Sequence, residues 1–158
     1  MGLLTESTLS DIGALVEAYD LANLKAHSAF MQGQADLASD FYQQAFALSV
    51  QLLTSQAITE EALKMSVYAC LNCFDFCPVP SDSDARHYLV VTANELQAIV
   101  ASKQSLAIRH GALIAYAEVA RLCDCLVQHD ASNTRSKMVV EQFRQCWQCY
   151  CSELISDQ

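Results

Sequence analysis

Apolar residues recur every three to four positions along most of the chain, and polar residues fill the positions between them. This spacing puts the apolar side chains on one face of an α-helix, whereas a half-buried strand would alternate every second residue. Six helices are predicted, over about 10–31, 34–53, 59–76, 82–101, 104–128 and 134–155. Four glycines and two prolines in 158 residues are too few for the many turns of a sandwich or barrel. The predicted fold class is therefore all-α.

Polar caps and helix breakers mark the ends of the predicted helices. Gly33 interrupts the periodicity after the first helix, and Thr59 is a suitable N-cap for the third. The segment CPVPSDSD, residues 77–84, contains two prolines, which cannot continue a helix. The fifth helix is apolar around most of its circumference, so we expect it to be the most buried.

Short connections between long helices favour antiparallel neighbours. The six helices then group into three hairpins of similar size, roughly 10–53, 59–101 and 104–155, within a single domain over 1–158. Three similar hairpins are typical of a short helical solenoid, and an irregular helical bundle satisfies the same pattern.

The charge balance disfavours several kinds of partner. The chain carries 9 basic against 18 acidic residues, a formal net charge of −9, and its basic residues do not cluster. Nucleic-acid backbones and anionic membranes demand the opposite balance, so neither is expected as a partner. The acidity fits simple solubility or a basic protein partner. No run approaches the ~18 apolar residues of a membrane span, and the first residues lack the pattern of a secretory signal. A cytoplasmic location with reduced thiols is expected.

Eight cysteines raise the question of a metal or redox site. At helical spacing, Cys70, Cys73 and Cys77 share one face with apolar residues, so we expect them to pack as small hydrophobes. Cys149 alone is predicted to project onto a polar face, where it would be the first thiol to react. A four-thiolate site formed by Cys70, Cys73, Cys146 and Cys149 is the alternative, although the two pairs are far apart in sequence.

Motifs for catalysis are missing from the sequence. There is no glycine-rich phosphate loop, no nucleophile elbow and no H-E-x-x-H motif, and the four histidines are scattered. Neither catalytic activity, a cofactor nor a metal ion is therefore expected. A cysteine–histidine pair that meets only in the folded chain stays open.

The stretch AHSAFMQGQADLASDFYQQAFAL, residues 26–48, contains a small residue, a turn glycine, an alanine, an aromatic residue and a second alanine at fixed spacing. These are Ala26, Gly33, Ala38, Tyr42 and Ala45. Small residues let two helices approach closely, and the aromatic side chain fills the gap to the next helix. This stretch resembles a tetratricopeptide repeat. The other two hairpins match the pattern poorly, and their spacing exceeds the family's period of about 34 residues.

The resemblance implies a protein- or peptide-binding adaptor or chaperone. Such proteins line a concave groove with the first helix of each hairpin, which here implies binding by Asn23, His27, Met31, Tyr68 and Asn72. Some members hold a C-terminal carboxylate with two basic residues, and this chain has no Lys or Arg in the corresponding positions.

The last predicted helix carries a strict apolar stripe. It consists of Val140, Phe143, Trp147, Tyr150 and Leu154. Such a stripe fits either the core or a dimer face with Trp147 at its centre. A self-associating structural subunit, a homodimer through the C-terminal helix, is therefore the alternative to the adaptor.

Overall fold

The structure is a computed structural model that describes residues 6–77 and 87–155. For residues 6–8 it describes the backbone only. Every regular element in these ranges is an α-helix, as the sequence predicts. The helices are α1 (Glu6–Met31), α2 (Ala35–Leu53), α3 (Glu60–Phe76), α4 (His87–Val100), α5 (Leu106–His129) and α6 (Thr134–Ile155). The two prolines and the predicted start of the fourth helix lie outside the described residues. None of the described helices is both long enough and apolar enough to cross a membrane.

The contacts between helices divide the chain into two compact units, Met1–Ser81 and Asp82–Gln158. The first contains α1–α3 and the second α4–α6. Within the first unit α3 packs on α2, and within the second unit α4 packs on α5. The predicted middle hairpin, 59–101, spans the boundary between the two units. Apolar patterning identifies the face that a helix buries but not the partner that covers it.

In the first unit, α1 and α2 approach closely around a glycine turn. Gly33 has φ +75°, a left-handed conformation that costs glycine no steric strain. Ala26, Ala38 and Ala45 are almost completely buried where the helices meet. Tyr42 stacks on Phe76 of α3, with ring centroids 5.1 Å apart and planes inclined by 17°. The small residues and the aromatic residue of the helical hairpin therefore have the packing roles that their spacing predicts.

The cysteines of α3 pack against α2. The Cys73 thiol donates a hydrogen bond to the Tyr42 carbonyl oxygen at 3.3 Å, and the Cys77 thiol donates to the Ser39 carbonyl oxygen at 3.6 Å. Cys70, Cys73 and Cys77 are all buried, which confirms the predicted apolar face. The pKa of Cys73 is raised, first by its hydrogen bond with Cys77 and then by burial, so the Cys73 thiol stays protonated.

In the second unit, α5 packs against both α4 and α6. Arg109 contacts Glu153 of α6, whereas Tyr116, seven residues further along α5, contacts Phe143, ten residues earlier in α6. The later residue of α5 contacts the earlier residue of α6, so α5 and α6 run in opposite directions. The central position of α5 agrees with its wide apolar surface.

The buried face of α6 coincides with the predicted stripe only at Leu154. The buried residues are Ser136, Val139, Cys146 and Leu154. Trp147, at the centre of the predicted stripe, is only half-buried, as are Phe143 and Tyr150. Phe143 meets Tyr116 edge-on at 5.1 Å, so the aromatic residues cover the rim of the interface with α5 and the smaller side chains fill its centre.

Side-chain caps fix the starts of three helices. The Thr59 hydroxyl accepts a hydrogen bond from the Ala62 amide at 3.1 Å, which confirms the predicted cap of α3. The Ser105 hydroxyl accepts from the Ile108 amide at the start of α5. Asn133 caps α6, because its Oδ1 accepts from the Ser136 amide at 3.1 Å. Sequence reasoning placed a polar break there without identifying the cap.

Candidate functional site

The first unit positions α1 and α3 side by side through two contacts. The Tyr19 hydroxyl donates a buried hydrogen bond to the Met65 carbonyl oxygen at 3.1 Å. Three turns further along, Phe30 meets Phe76 edge-on, with ring centroids 4.9 Å apart. In both pairs the two residues are 46 positions apart. A constant offset shows that α1 and α3 run in the same direction with a fixed register over these turns.

This register places the predicted binding residues of α1 and α3 at matching levels along the two helices. Asn23 lies level with residue 69, between Tyr68 and Asn72, and His27 lies level with residue 73. Asn23, His27 and Met31 follow each other at four-residue steps on one side of α1, and Tyr68 and Asn72 do the same on α3. We call Asn23, His27, Met31, Tyr68 and Asn72 the groove stripe.

The groove stripe combines exposed side chains with half-buried amides. Met31 is 70% exposed and Tyr68 is 64% exposed, unusually high values for large apolar side chains, and His27 is exposed as well. The side chains of Asn23 and Asn72 are half-buried. A flexible thioether, an aromatic ring and two amides on one accessible surface supply both apolar contact and hydrogen bonding.

Asn23 has an unsatisfied polar atom. Its Oδ1 is shielded from solvent and accepts no hydrogen bond from any described residue. Such an atom costs about 1–3 kcal/mol of folding free energy, so its presence needs an explanation. The Asn23 side chain also hydrogen-bonds to Tyr19; burial raises the pKa of that hydroxyl, and the bond from Asn23 only partly offsets the rise. The sequence pattern does not indicate this link between Tyr19 and Asn23.

Acidic residues flank the groove stripe on both helices. Asp20 precedes Asn23 by three residues on α1, and Asp75 follows Asn72 by three on α3, so each lies on the same side of its helix as the stripe. Glu61 lies two turns before Tyr68. All three carboxylates belong to exposed residues. Lys64 is an exposed basic residue on the same side of α3.

The other lysine of the first unit lies elsewhere. The Lys25 ammonium group lies 5.6 Å from the centroid of the Phe41 ring, which places it at the contact between α1 and α2. Residues 1–81 contain two Lys or Arg against nine Asp or Glu, a net charge of −7, whereas residues 82–158 contain seven against nine, a net charge of −2. Most of the net negative charge of the chain therefore belongs to the unit that carries the groove stripe.

The thiols of the second unit differ from the prediction in one respect. Cys149 is exposed as expected, but Cys125 is exposed too, whereas Cys123 and Cys146 are buried. The sequence pattern predicts Cys149 alone on a polar face, and the exposure of Cys125 on α5 is therefore an additional finding. Within residues 6–77 and 87–155, no three His, Cys, Asp or Glu side chains are grouped closely enough to hold a metal ion.

Comparison with known proteins identifies a family. The model of a protein family, described as a protein of unknown function, matches residues 20–156. No curated protein and no solved structure matches the chain. The matched range contains the whole groove stripe and all of α4–α6, so the family extends over both units.

Proposed function

This chain belongs to the DUF2753 family, and from the groove stripe we propose that it binds a segment of a partner protein. The proposed role is that of an adaptor or chaperone-like module that acts through binding and not through catalysis. We propose that it works in the cytoplasm, where thiols such as Cys73 remain reduced and can serve as buried hydrogen-bond donors.

The observation that carries the proposal is the register between α1 and α3. Five residues from two helices lie on one accessible surface, although the helices are separated by α2 in the sequence. The parallel arrangement of α1 and α3, with α2 packed against both, also supports the resemblance to tetratricopeptide repeats, whose first helices line a groove.

The chemistry of the groove stripe suits a peptide segment. Met31 and Tyr68 offer adaptable apolar and aromatic contact, which is enriched in protein interfaces. The amides of Asn23 and Asn72 can pair with main-chain or side-chain polar groups of the segment. An unsatisfied Asn23 Oδ1 supports a binding role, because residues kept for function often cost stability.

The experiment is a peptide selection. Random peptides of about 15 residues, long enough to follow the stripe, are displayed and selected on the wild-type protein. The affinities of the enriched peptides are then measured for a variant with Asn23, His27, Tyr68 and Asn72 all changed to Ala. The proposal expects the quadruple variant to lose at least about tenfold in affinity.

The control carries Leu37→Ala and Gln44→Ala, two exposed positions on α2. Circular dichroism and thermal unfolding establish that both variants are folded. Wild-type affinity in a folded quadruple variant would refute the groove stripe as the binding surface.

A second candidate function is self-association through α6. Phe143 and Trp147, only half-buried, line a shallow cleft of about 280 Å³ together with Arg144 and Gln148. Half-exposed aromatic side chains on a helix face are typical of interfaces. Sedimentation velocity over a range of concentrations tests this function, and a strictly monomeric protein removes it.

A further inference from the structure

Most of the unpaired groups around the groove stripe are carboxylates or hydrogen-bond acceptors. Asp20, Glu61 and Asp75 present carboxylates, and no described hydrogen bond or ion pair neutralises any of the three. Asn23 adds an acceptor atom, Oδ1, that has no partner although it is shielded from solvent, and the exposed Tyr68 ring adds a π face. Carboxylates, amide oxygens and aromatic faces are the groups that bind guanidinium and ammonium groups.

The positions of the carboxylates follow from the register between α1 and α3. Glu61 lies level with residue 15 of α1, and Asp75 lies level with residue 29, so the two are about 21 Å apart along the helix axes. Asp20 lies between them on α1. Acidic groups therefore accompany the groove stripe along its length and on both of its sides.

Few basic residues in the first unit offset the negative charge of these carboxylates. Lys64 is the basic residue of α3 beside the groove stripe, and Lys25 is held against Phe41 at the contact with α2. The whole first unit has a net charge of −7. An anionic segment would meet several unpaired carboxylates, whereas a cationic segment would be attracted before contact and would pair with them after it.

We infer that the groove stripe takes a cationic segment of a partner protein, rich in Arg or Lys. This inference rests on the proposed function and specifies the chemistry of the segment. An arginine of the segment stacks on Tyr68, and further basic side chains pair with Asp20, Glu61 and Asp75.

The test uses the peptides selected at random on the wild-type protein, because that selection imposes no charge. We expect the peptides that need the groove stripe to be enriched in Arg and Lys. Their affinity should fall about tenfold or more when Asp20→Asn, Glu61→Gln and Asp75→Asn are combined, and also when salt rises from about 50 to about 500 mM.

The control variant combines Asp36→Asn, Asp40→Asn and Glu60→Gln. It changes the net charge of the first unit by the same amount, removes carboxylates from α2, and matches Glu61 with its neighbour in the first turn of α3. We expect its peptide affinity to stay within about threefold of wild type, since only long-range attraction is lost.

The outcomes separate the two proposals. Neutral or acidic peptides that still depend on the groove stripe would overturn the charge inference and leave the proposed function standing. Equal losses of peptide affinity in the two neutralised variants would also overturn the charge inference. Such a result would mean that the net charge of the first unit attracts the peptide without pairing at the groove stripe. A selection that yields no peptide dependent on the groove stripe would refute the proposed function itself.

Discussion

The hydroxyl group of Tyr19 donates a hydrogen bond to the backbone carbonyl oxygen of Met65 and so joins α1 to α3 across 46 residues of sequence. The contact is buried, and it fixes which residues of the two helices lie side by side. With the ring contact between Phe30 and Phe76, it places Asn23 of α1 at the same level along the helix axes as residue 69 of α3, between Tyr68 and Asn72.

Tyr19→Phe tests the importance of this contact for the first unit. The variant keeps the ring but removes both the donor to Met65 and the hydrogen bond with Asn23, so we expect the free energy of unfolding to fall by about 1–2 kcal/mol. Urea titration followed by circular dichroism measures the change. Tyr68→Phe, which removes an exposed hydroxyl, is the matched control and should leave stability within about 0.5 kcal/mol of wild type. Equal effects of the two substitutions would contradict this importance.

Asn23→Leu tests whether Asn23 serves binding or the stability of the fold. The substitution removes a buried acceptor without a partner and also the hydrogen bond to Tyr19, so the two effects oppose each other. We expect unfolding free energy to be unchanged or raised by up to about 2 kcal/mol, while the affinity for groove-dependent peptides falls. Asn94→Leu, on the exposed surface of α4, gives the effect of the same change outside the groove. A loss of more than about 2 kcal/mol would show that Asn23 is mainly structural.

Arg109 connects the three helices of the second unit. Its Nε donates to the Val100 carbonyl oxygen at 2.8 Å, and its guanidinium group pairs with Glu153 at 2.7 Å and lies over the Tyr150 ring. We expect Arg109→Ala to lower the free energy of unfolding by about 2 kcal/mol. The matched control is Arg121→Ala, which breaks an exposed pair with Glu118 on the same helix and should cost less than about 0.5 kcal/mol.

Acid should weaken this ion pair. The hydrogen bond from Arg109 lowers the pKa of Glu153, so the folded state holds that carboxylate ionised at a pH where the unfolded chain has begun to take up a proton. The stabilisation is therefore present above about pH 4.3 and is lost as pH falls through the lower folded pKa. The difference between wild type and Arg109→Ala should shrink in acid, and a constant difference would contradict the assignment.

Alkali should destabilise the second unit through Cys123. Burial raises the pKa of this thiol from its ordinary value of about 9 to about 11. The unfolded chain loses the proton first, so this stabilisation is complete below about pH 9 and is lost as pH rises toward about 11. In Cys123→Ala, the plot of unfolding free energy against pH should be flatter over that interval by up to about 3 kcal/mol. Cys125→Ala, at an exposed position of α5, should keep the wild-type slope.

Much of the fold follows from local pattern. The ends of α2, α3, α5 and α6 agree with the predictions to within about two residues, because caps and apolar periodicity act on each helix separately. The burial of Cys70, Cys73 and Cys77 follows from the same periodicity. Most of the Trp147 stripe lies off the buried face of α6, because the side of a helix that is buried depends on its neighbours, which a local pattern does not give.

The site depends on information that a local pattern lacks. A resemblance over residues 26–48 indicated the helix faces that carry Asn23, His27 and Tyr68, but the register between α1 and α3 follows from one hydroxyl and one pair of rings far apart in sequence. The division into two units was not predicted either, since it depends on which neighbour each apolar face selects.

The most direct test of the groove stripe is a nuclear magnetic resonance titration of the isotope-labelled full chain with a selected peptide. We predict that the amide shift changes concentrate in residues 20–31 of α1 and 61–76 of α3. The quadruple variant of the groove stripe should lose them under the same conditions. Shift changes confined to α6 around Trp147, or spread evenly over both units, would contradict binding at the groove stripe.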